Sequence, residues 1–313
     1  MTAAGEFAGR RRIRHGAAPM PAAPLIIRIA PLTFAFLWSS GFIVARYGAA
    51  DAEPFTFLTA RGLLAALLLL LLAVATRAPW PKTFGDAGHN MVAGILLHGG
   101  YLCGVWWAVA NGLPAGLSAL IAAAQPLMTA ILAGPLAGEK VSAPQWAGIV
   151  VGFVGIVLVL APRLAGVDAA MLGVVVVPML VNFGATVSVT LGTFYQKRFA
   201  ASSDLRTGTF LQFIGALFIV VPLALATETL RFDVTPTSIA VLLWSVVALS
   251  IGAIALLLLL IRRGAVSRVA ALIYLVPPLV AAEAFVLFGE DLTAVQMAGM
   301  VATAAGVWLA VKR

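Results

Sequence analysis

The sequence predicts an all-α integral membrane protein, with ten transmembrane helices arranged as two inverted five-helix repeats and both termini on the cytoplasmic side. Three observations carry this. The chain of 313 residues is 62% hydrophobic and 10% charged, whereas soluble domains are roughly 45–50% apolar and about 25% charged. Its basic residues lie in short runs between long apolar segments. It also matches itself at an offset of 151 residues. A soluble fold of this length would need a charged exterior that 20 basic and 12 acidic residues cannot supply. The net charge of +8 therefore speaks of loops facing a membrane, not of a nucleic-acid partner.

A helix needs about 20 apolar residues to cross bilayer hydrocarbon, and cutting the chain at its charged, Pro-rich and Gly-rich breaks gives ten such segments. The first, 29–47, comes after the basic "RRRIRH" of residues 10–15; it is too long for an export signal and lacks a small-residue cleavage site. Residues 1–28 read as a basic cytoplasmic extension, with 1–19 disordered and Met20 an alternative start. The second segment, 54–76, contains Arg61, and the third, 91–111, contains "HGGYLCGVWW" at 98–107. The fourth, 115–137, is interrupted by Gln125-Pro126, and the fifth, 143–161, carries Gly148, Gly152 and Gly155. The sixth, 171–195, holds Asn182 and Thr186; the seventh, 205–226, and eighth, 237–261, are bounded by Arg206 and by Arg262-Arg263. The ninth, 266–288, contains Pro277-Pro278, and the tenth, 293–311, has Gly299 and Gly306. The links are too short for a soluble domain.

With the N-terminus inside, sixteen basic residues fall on the cytoplasmic side and only Arg46, Arg163 and Arg231 outside, which is the positive-inside pattern. The 151-residue offset sets Pro126 on Pro277, Gly138-Glu139 on Gly289-Glu290, Gln145 on Gln296, Gly148 on Gly299 and Gly155 on Gly306. It also sets Thr56 and Arg61 on Thr207 and Gln212. The repeats span 29–161 and 171–313. A unit of five helices repeated in tandem enters the membrane in opposite directions, and such inverted halves can exchange conformations around a central site.

"WSSGFIVARYG" (38–48), "EPFTFLTAR" (53–61), the stretch 124–160 beginning "AQPLMTAILAGPLAGEK" and its echo at 276–311 beginning "VPPLVAAEAFVLFGED" together resemble a ten-helix, EamA-type member of the drug/metabolite transporter superfamily. The resemblance covers nearly the whole chain after residue 28. It implies a bacterial inner-membrane carrier that exports amino acids or other small metabolites, most like the aromatic amino-acid exporter branch. A multidrug or other-metabolite carrier of the same fold is the alternative. The resemblance implies no cofactor, and a monomer or homodimer.

Polar groups at mid-bilayer are costly and usually face a bundle interior or a watery cavity. Those nearest mid-depth are Trp38, Ser39, Ser40, His98, Tyr101, Gln125, Asn182, Thr186, Ser250 and Tyr274, and these are the candidate substrate-binding residues. At about 100° per residue, Gly94, His98, Tyr101 and Val105 form one stripe suited to lining a cavity. Trp107 points away, as a residue of the interfacial aromatic belt. For His98 the competing reading is a structural interhelical hydrogen bond; for Trp38, Ser39 and Ser40 it is plain helix packing.

Pro126 and Pro277 each remove a backbone donor, freeing the carbonyls of Ala122 and Ile273. Such breaks serve as hinges or cation sites, or are static kinks; Pro278 makes the ninth helix the more distorted. Arg61 and Glu283 lie toward the outer ends of their helices, where they either snorkel to the interface or couple transport to protons. Glu139 and Glu290 read as loop organisers, and the glycines of the fifth and tenth helices as a close-packing seam. Cys103 is the one cysteine, so no intrachain disulfide forms, and no zinc spacing, nucleophile–base pair or phosphate loop is present. An intramembrane enzyme or sensor would need paired carboxylates or a histidine cluster, which His15, His89 and His98 do not offer.

Overall fold

The computed structural model describes residues 25–48, 51–113, 115–164, 169–263, 266–289 and 292–311. The helices in chain order are α1 (Leu25–Gly48), α2 (Pro54–Ala75), α3 (Phe84–Ala110), α4 (115–137), α5 (Ala143–Leu164), α6 (169–200), α7 (Leu205–Thr227), α8 (Pro236–Arg263), α9 (266–288) and α10 (Ala294–Val311). Among the described residues, α2 to α10 each supply a stretch long and apolar enough to cross a membrane, and α1 adds the shorter apolar run Ile29–Gly41. Most of the predicted N-terminal extension, and Glu290, lie outside the described residues.

Two boundaries differ from the hydropathy reading. Helix α3 begins at Phe84, seven residues before the predicted 91, because the Thr83 side chain caps it by accepting the Asp86 amide at 3.0 Å. Asp86, His89 and Asn90 hide this extra length from an apolar window. Helix α6 runs on to Ala200 through a wide π turn at Gln196–Ala200.

The 151-residue offset is visible in the backbone. Gly138 and Gly289 both end their helices with φ of +64°, a left-handed conformation that glycine adopts without strain. Helices α5 and α10 open on the same reciprocal cap. The Gln145 side chain accepts the Ser142 amide at 2.9 Å, and the Gln296 side chain accepts the Thr293 amide at 3.0 Å. Ser142 and Thr293 return a bond to the Gln145 and Gln296 amides at 3.4 and 3.2 Å. Thr293→Ala is expected to lower the stability of α10 by about 1 kcal/mol, read as a fall in thermal unfolding temperature in detergent.

The interruptions are paired as well. Helix α4 breaks between Ala115–Ala122 and Gln125–Ala137, and α9 tightens into a 3₁₀ turn at Leu272–Leu275 before Val276–Phe288. Pro126, Pro277 and Pro278 thus sit in the first turn of the second segments, where the missing amide costs nothing. Both α3 and α8 contain π turns, at Ile95–Gly100 and Ser245–Ala253; hydropathy carries no sign of these. A π turn adds a residue per turn and rotates the rest of the helix by about 100°, so the predicted single stripe from Gly94 to Val105 is broken at His98.

The helices pack as α5 on α10, α2 on α7, α3 on both α6 and α7, and α1 on α8 and α9. The predicted glycine seam is the α5–α10 contact: a Cβ at Gly148 would meet Gly306 and Ala310 backbone, and one at Gly155 would meet Gly299 and Thr303. Trp107, predicted in the interfacial belt, is partly buried near the end of α3 and packs against apolar clusters that include Cys103, Leu113 and Val175.

At one end of the α2–α7 pair, two carboxylates cross-cap the loops. Glu53 accepts the Arg231 amide at 2.7 Å and the Thr229 hydroxyl at 3.0 Å, while Glu228 accepts the Phe55 and Thr56 amides at 2.7 and 2.6 Å. A backbone bridge, Ala52 to Phe232, runs between them. The Arg231 amide, more than any other partner, holds the Glu53 carboxyl below its ordinary value. A depressed pKa stabilises the fold above the unfolded value, about 4.3, and the gain disappears as pH falls through the lower folded value. The wild type is therefore expected to unfold at higher temperature than Glu53→Gln at neutral pH. The difference should shrink on acidification below the ordinary glutamate range, which thermal melts of both proteins across pH would record.

Candidate functional site

Helix α3 carries His98 into the interior between α2 and α7. Its imidazole is 4% exposed and lies flat on Phe213, ring centroids 5.1 Å apart at 10°. The glycines around it explain the closeness: Gly94 lies against the backbone of Gln212, Gly99 against Ala216, and Gly100 and Gly104 against Ser188 and Ala185 of α6. The widened turn leaves the Leu96 carbonyl to accept from the Ser188 hydroxyl at 2.9 Å. Arg61 shares a pocket with His98, walled by Leu58, Leu102, Phe213 and Val220.

Arg61 and Glu283 each bond a serine of another helix. Arg61 Nε donates to Ser250 Oγ at 2.7 Å, linking α2 to the π turn of α8. Ser39 Oγ donates to Glu283 Oε1 at 2.6 Å, fixing the acid against the middle of α1. Ser40 accepts from Trp244 Nε1 at 2.9 Å, so both serines of the "WSSG" motif are engaged across helices.

The remaining candidates fall in two places. Asn182 is fully buried and donates to the Ser118 carbonyl at 3.0 Å, bringing α6 to α4. Thr186 returns its hydroxyl to the Asn182 carbonyl at 2.9 Å, a local bond that occupies its donor. Gln125 is buried at the α4 break, where its carbonyl accepts from Thr129. Trp38 and Tyr274 share the apolar cluster of Phe34, Ile149, Ile156 and Leu257, and neither lines the His98 pocket. Tyr101 is partly buried directly after the π turn that contains His98, and does not line the His98 pocket.

Nine buried side-chain atoms make no hydrogen bond within the protein among the described residues. Five of them belong to the candidates: His98 Nε2, Gln125 Nε2, Asn182 Oδ1, Tyr274 OH and Glu283 Oε2. Folded proteins leave few such atoms, each of which needs a reason. A sixth, Gln212 Oε1, belongs to a residue that depth along the helix passes over. Gln212 stands opposite Arg61 in the self-match and bonds Gln196 Oε1 through its amide at 2.8 Å. The repeat is the signal that could have found it. Ser188, Ser118 and Trp244 have no comparable signal, since each gains its role from a partner far along the chain. Glu139, read as a loop organiser, accepts from Lys197 Nζ at 3.1 Å and from the Val266 amide at 2.9 Å, tying the ends of α4, α6 and α9.

A bundle of apolar helices long enough to cross a membrane, with polar side chains held inside it, is a polytopic membrane protein. The chain matches the EamA-like transporter family over residues 26–161 and again over 176–312, and it belongs to that family: it is a multi-pass membrane transporter of small metabolites. It is similar to a probable amino-acid metabolite efflux pump of Salmonella typhimurium, 26% identical over 282 residues covering 87% of this chain and 90% of the relative. The probable amino-acid metabolite efflux pump of Escherichia coli is 25% identical over the same shares. The uncharacterized transporter YvbV of Bacillus subtilis is 26% identical over 280 residues, 86% of this chain and 87% of its own. One solved crystal structure has the same fold, with a TM-score of 0.75 at 20% identity, covering 90% of this chain and 95% of that one.

Proposed function

We propose that this transporter is a secondary carrier of the bacterial inner membrane that exports amino acids, aromatic ones by preference. The two five-helix halves, inserted in opposite directions with both termini cytoplasmic, rock about the central polar groups. The observation that carries this reading is the set of five unbonded buried groups on α3, α4, α6 and α9, donors and acceptors suited to an ammonium and a carboxylate, set among aromatic rings such as Phe213 and Trp38. The names of the relatives in Salmonella and Escherichia coli support the amino-acid class. The His98 pocket holds about 20 Å³, room for a water-sized group, against the roughly 300 Å³ or more of ligand sites. Admitting a ring therefore requires the helices to part, and the paired breaks before Pro126 and Pro277 are where α4 and α9 can bend.

The test is exchange of radiolabelled Trp, Phe, Thr and Met by purified protein in liposomes, with and without a pH gradient. Flux above protein-free liposomes, greatest for Trp and Phe, is the expected result. No flux of any amino acid, together with flux of a cationic dye, would replace the substrate class by drugs.

A further inference from the structure

We infer that Arg61 and His98 form an anion site for the carboxylate of the transported molecule, with Arg61 as its principal counter-ion; this rests on the proposed transport of amino acids. Arg61 lies about two turns inside a membrane helix, yet no ion pair among the described residues includes it. Ser250 Oγ, a neutral hydroxyl, is its one hydrogen-bond partner among those residues. The carboxylates that approach the interior are held elsewhere: Glu228 on the Phe55 and Thr56 amides, Glu283 on Ser39. The other walls of the pocket are apolar, Leu58, Leu102, Phe213 and Val220 among them.

A guanidinium in such surroundings is expensive without an opposite charge. A carboxylate entering between α2 and α3 supplies that charge. It meets the remaining N–H groups of Arg61 on one side and, with the proton on Nε2, the buried His98 nitrogen on the other, where the carboxylate competes with the neighbouring Gln212 side chain. The Ser250 bond fixes Nε and so aims the outer edge of the guanidinium. Phe213, stacked on His98, keeps the imidazole plane from turning. The self-match sharpens the point: the equivalent of Arg61 in the second half is Gln212, which is neutral and bonded to Gln196. The site thus exists once, not twice, and a substrate bound there has a defined orientation. Carboxylic acids and free amino acids fit; their amides do not.

The experiment uses the full chain in detergent, in chloride-free methanesulfonate buffer at fixed ionic strength. Thermal unfolding is monitored while 3-phenylpropionate, phenylalanine, 3-phenylpropionamide, phenylalaninamide or sodium chloride is titrated in. The acids are expected to raise the unfolding temperature, and the amides to need at least about tenfold higher concentration, the size of one charge-assisted bond. Arg61→Met should erase the preference for acids while its unliganded unfolding temperature equals or exceeds that of the wild type. Arg61→Lys, which keeps the charge, and Ser250→Ala, which frees the guanidinium, should each retain a preference weakened several-fold. Equal response to acid and amide, no response to any acid, chloride as effective as the acids, or a full acid preference in Arg61→Met would each overturn the proposal. Should Arg61→Met not fold, an unweakened preference in both Arg61→Lys and Ser250→Ala does the same. Liposome flux of phenylalanine separates this from the transport proposal. Flux without acid preference removes the anion site and keeps the carrier; acid-specific stabilisation without flux does the reverse.

Discussion

Gly306→Leu is expected to abolish folded protein. A Cβ there would strike the amide and Cα of Gly152 and the carbonyl of Gly148 across the α5–α10 contact. These are backbone atoms in the middle of helices, so no rotamer change relieves the clash. The cost should exceed the roughly 1–3 kcal/mol of ordinary overpacked cores, and extra side-chain burial gives nothing back, because lipid tails are as apolar as leucine. Gly155→Leu, facing Thr303 and Gly299, should behave alike. Gly88→Ala, where an added Cβ meets nothing within 4 Å, is the control and should cost no more than a surface change. Fluorescence-detected size exclusion of tagged variants reads the result directly. A monodisperse Gly306→Leu peak at wild-type yield would mean that the glycine seam does not hold the two helices together.

The second large effect is on transport. His98→Ala is expected to reduce aromatic amino-acid flux by about tenfold or more, the consequence of losing one hydrogen bond to a charged group, while folded yield is kept. The stability side comes from the geometry: the Gln212 side chain beside His98 keeps its amide bond to Gln196 when the imidazole is removed. The stack on Phe213 is lost, and an apolar His98→Leu should restore much of that packing without restoring flux. If instead His98 served only to join helices, both variants would lose stability and the flux per folded molecule would be unchanged. Trp38→Ala is the companion test. Since Trp38 packs with Phe34 at 5.3 Å in a different cluster from the His98 pocket, its loss should lower both flux and unfolding temperature.

How far these features are legible in the sequence differs by kind. The spans and the α5–α10 glycines come from hydropathy and from a repeat, both local properties of the chain. Polar type at mid-helix marks several residues that are short of hydrogen bonds in the fold, because a polar side chain far from the helix ends is kept mostly where it faces the bundle interior. Statements about faces and partners fail. Regular helical arithmetic places Tyr101 on one stripe with His98, and the π turn at Ile95–Gly100 removes that regularity between them. Position along the helix leaves Arg61 and Glu283 open between snorkelling and coupling and names no partner; each finds a serine on another helix. Trp38 and Tyr274, both mid-depth, join an apolar cluster because direction about the helix axis, not depth, decides whether a ring meets a cavity or a neighbour.

The sequence by itself determined that this is a membrane protein, where its apolar helices run, and where the backbone breaks near Pro126 and Pro277. These depend on sums over neighbouring residues and on the covalent restrictions of proline and glycine. Only the tertiary structure decided that Arg61 meets Ser250 across 189 positions, that Ser39 holds Glu283 across 244, and that His98 shares its pocket with Arg61 rather than with Trp38. Those pairings arise from helix rotation and crossing, to which every contact along two helices contributes, and a local reading of the chain has no access to that sum.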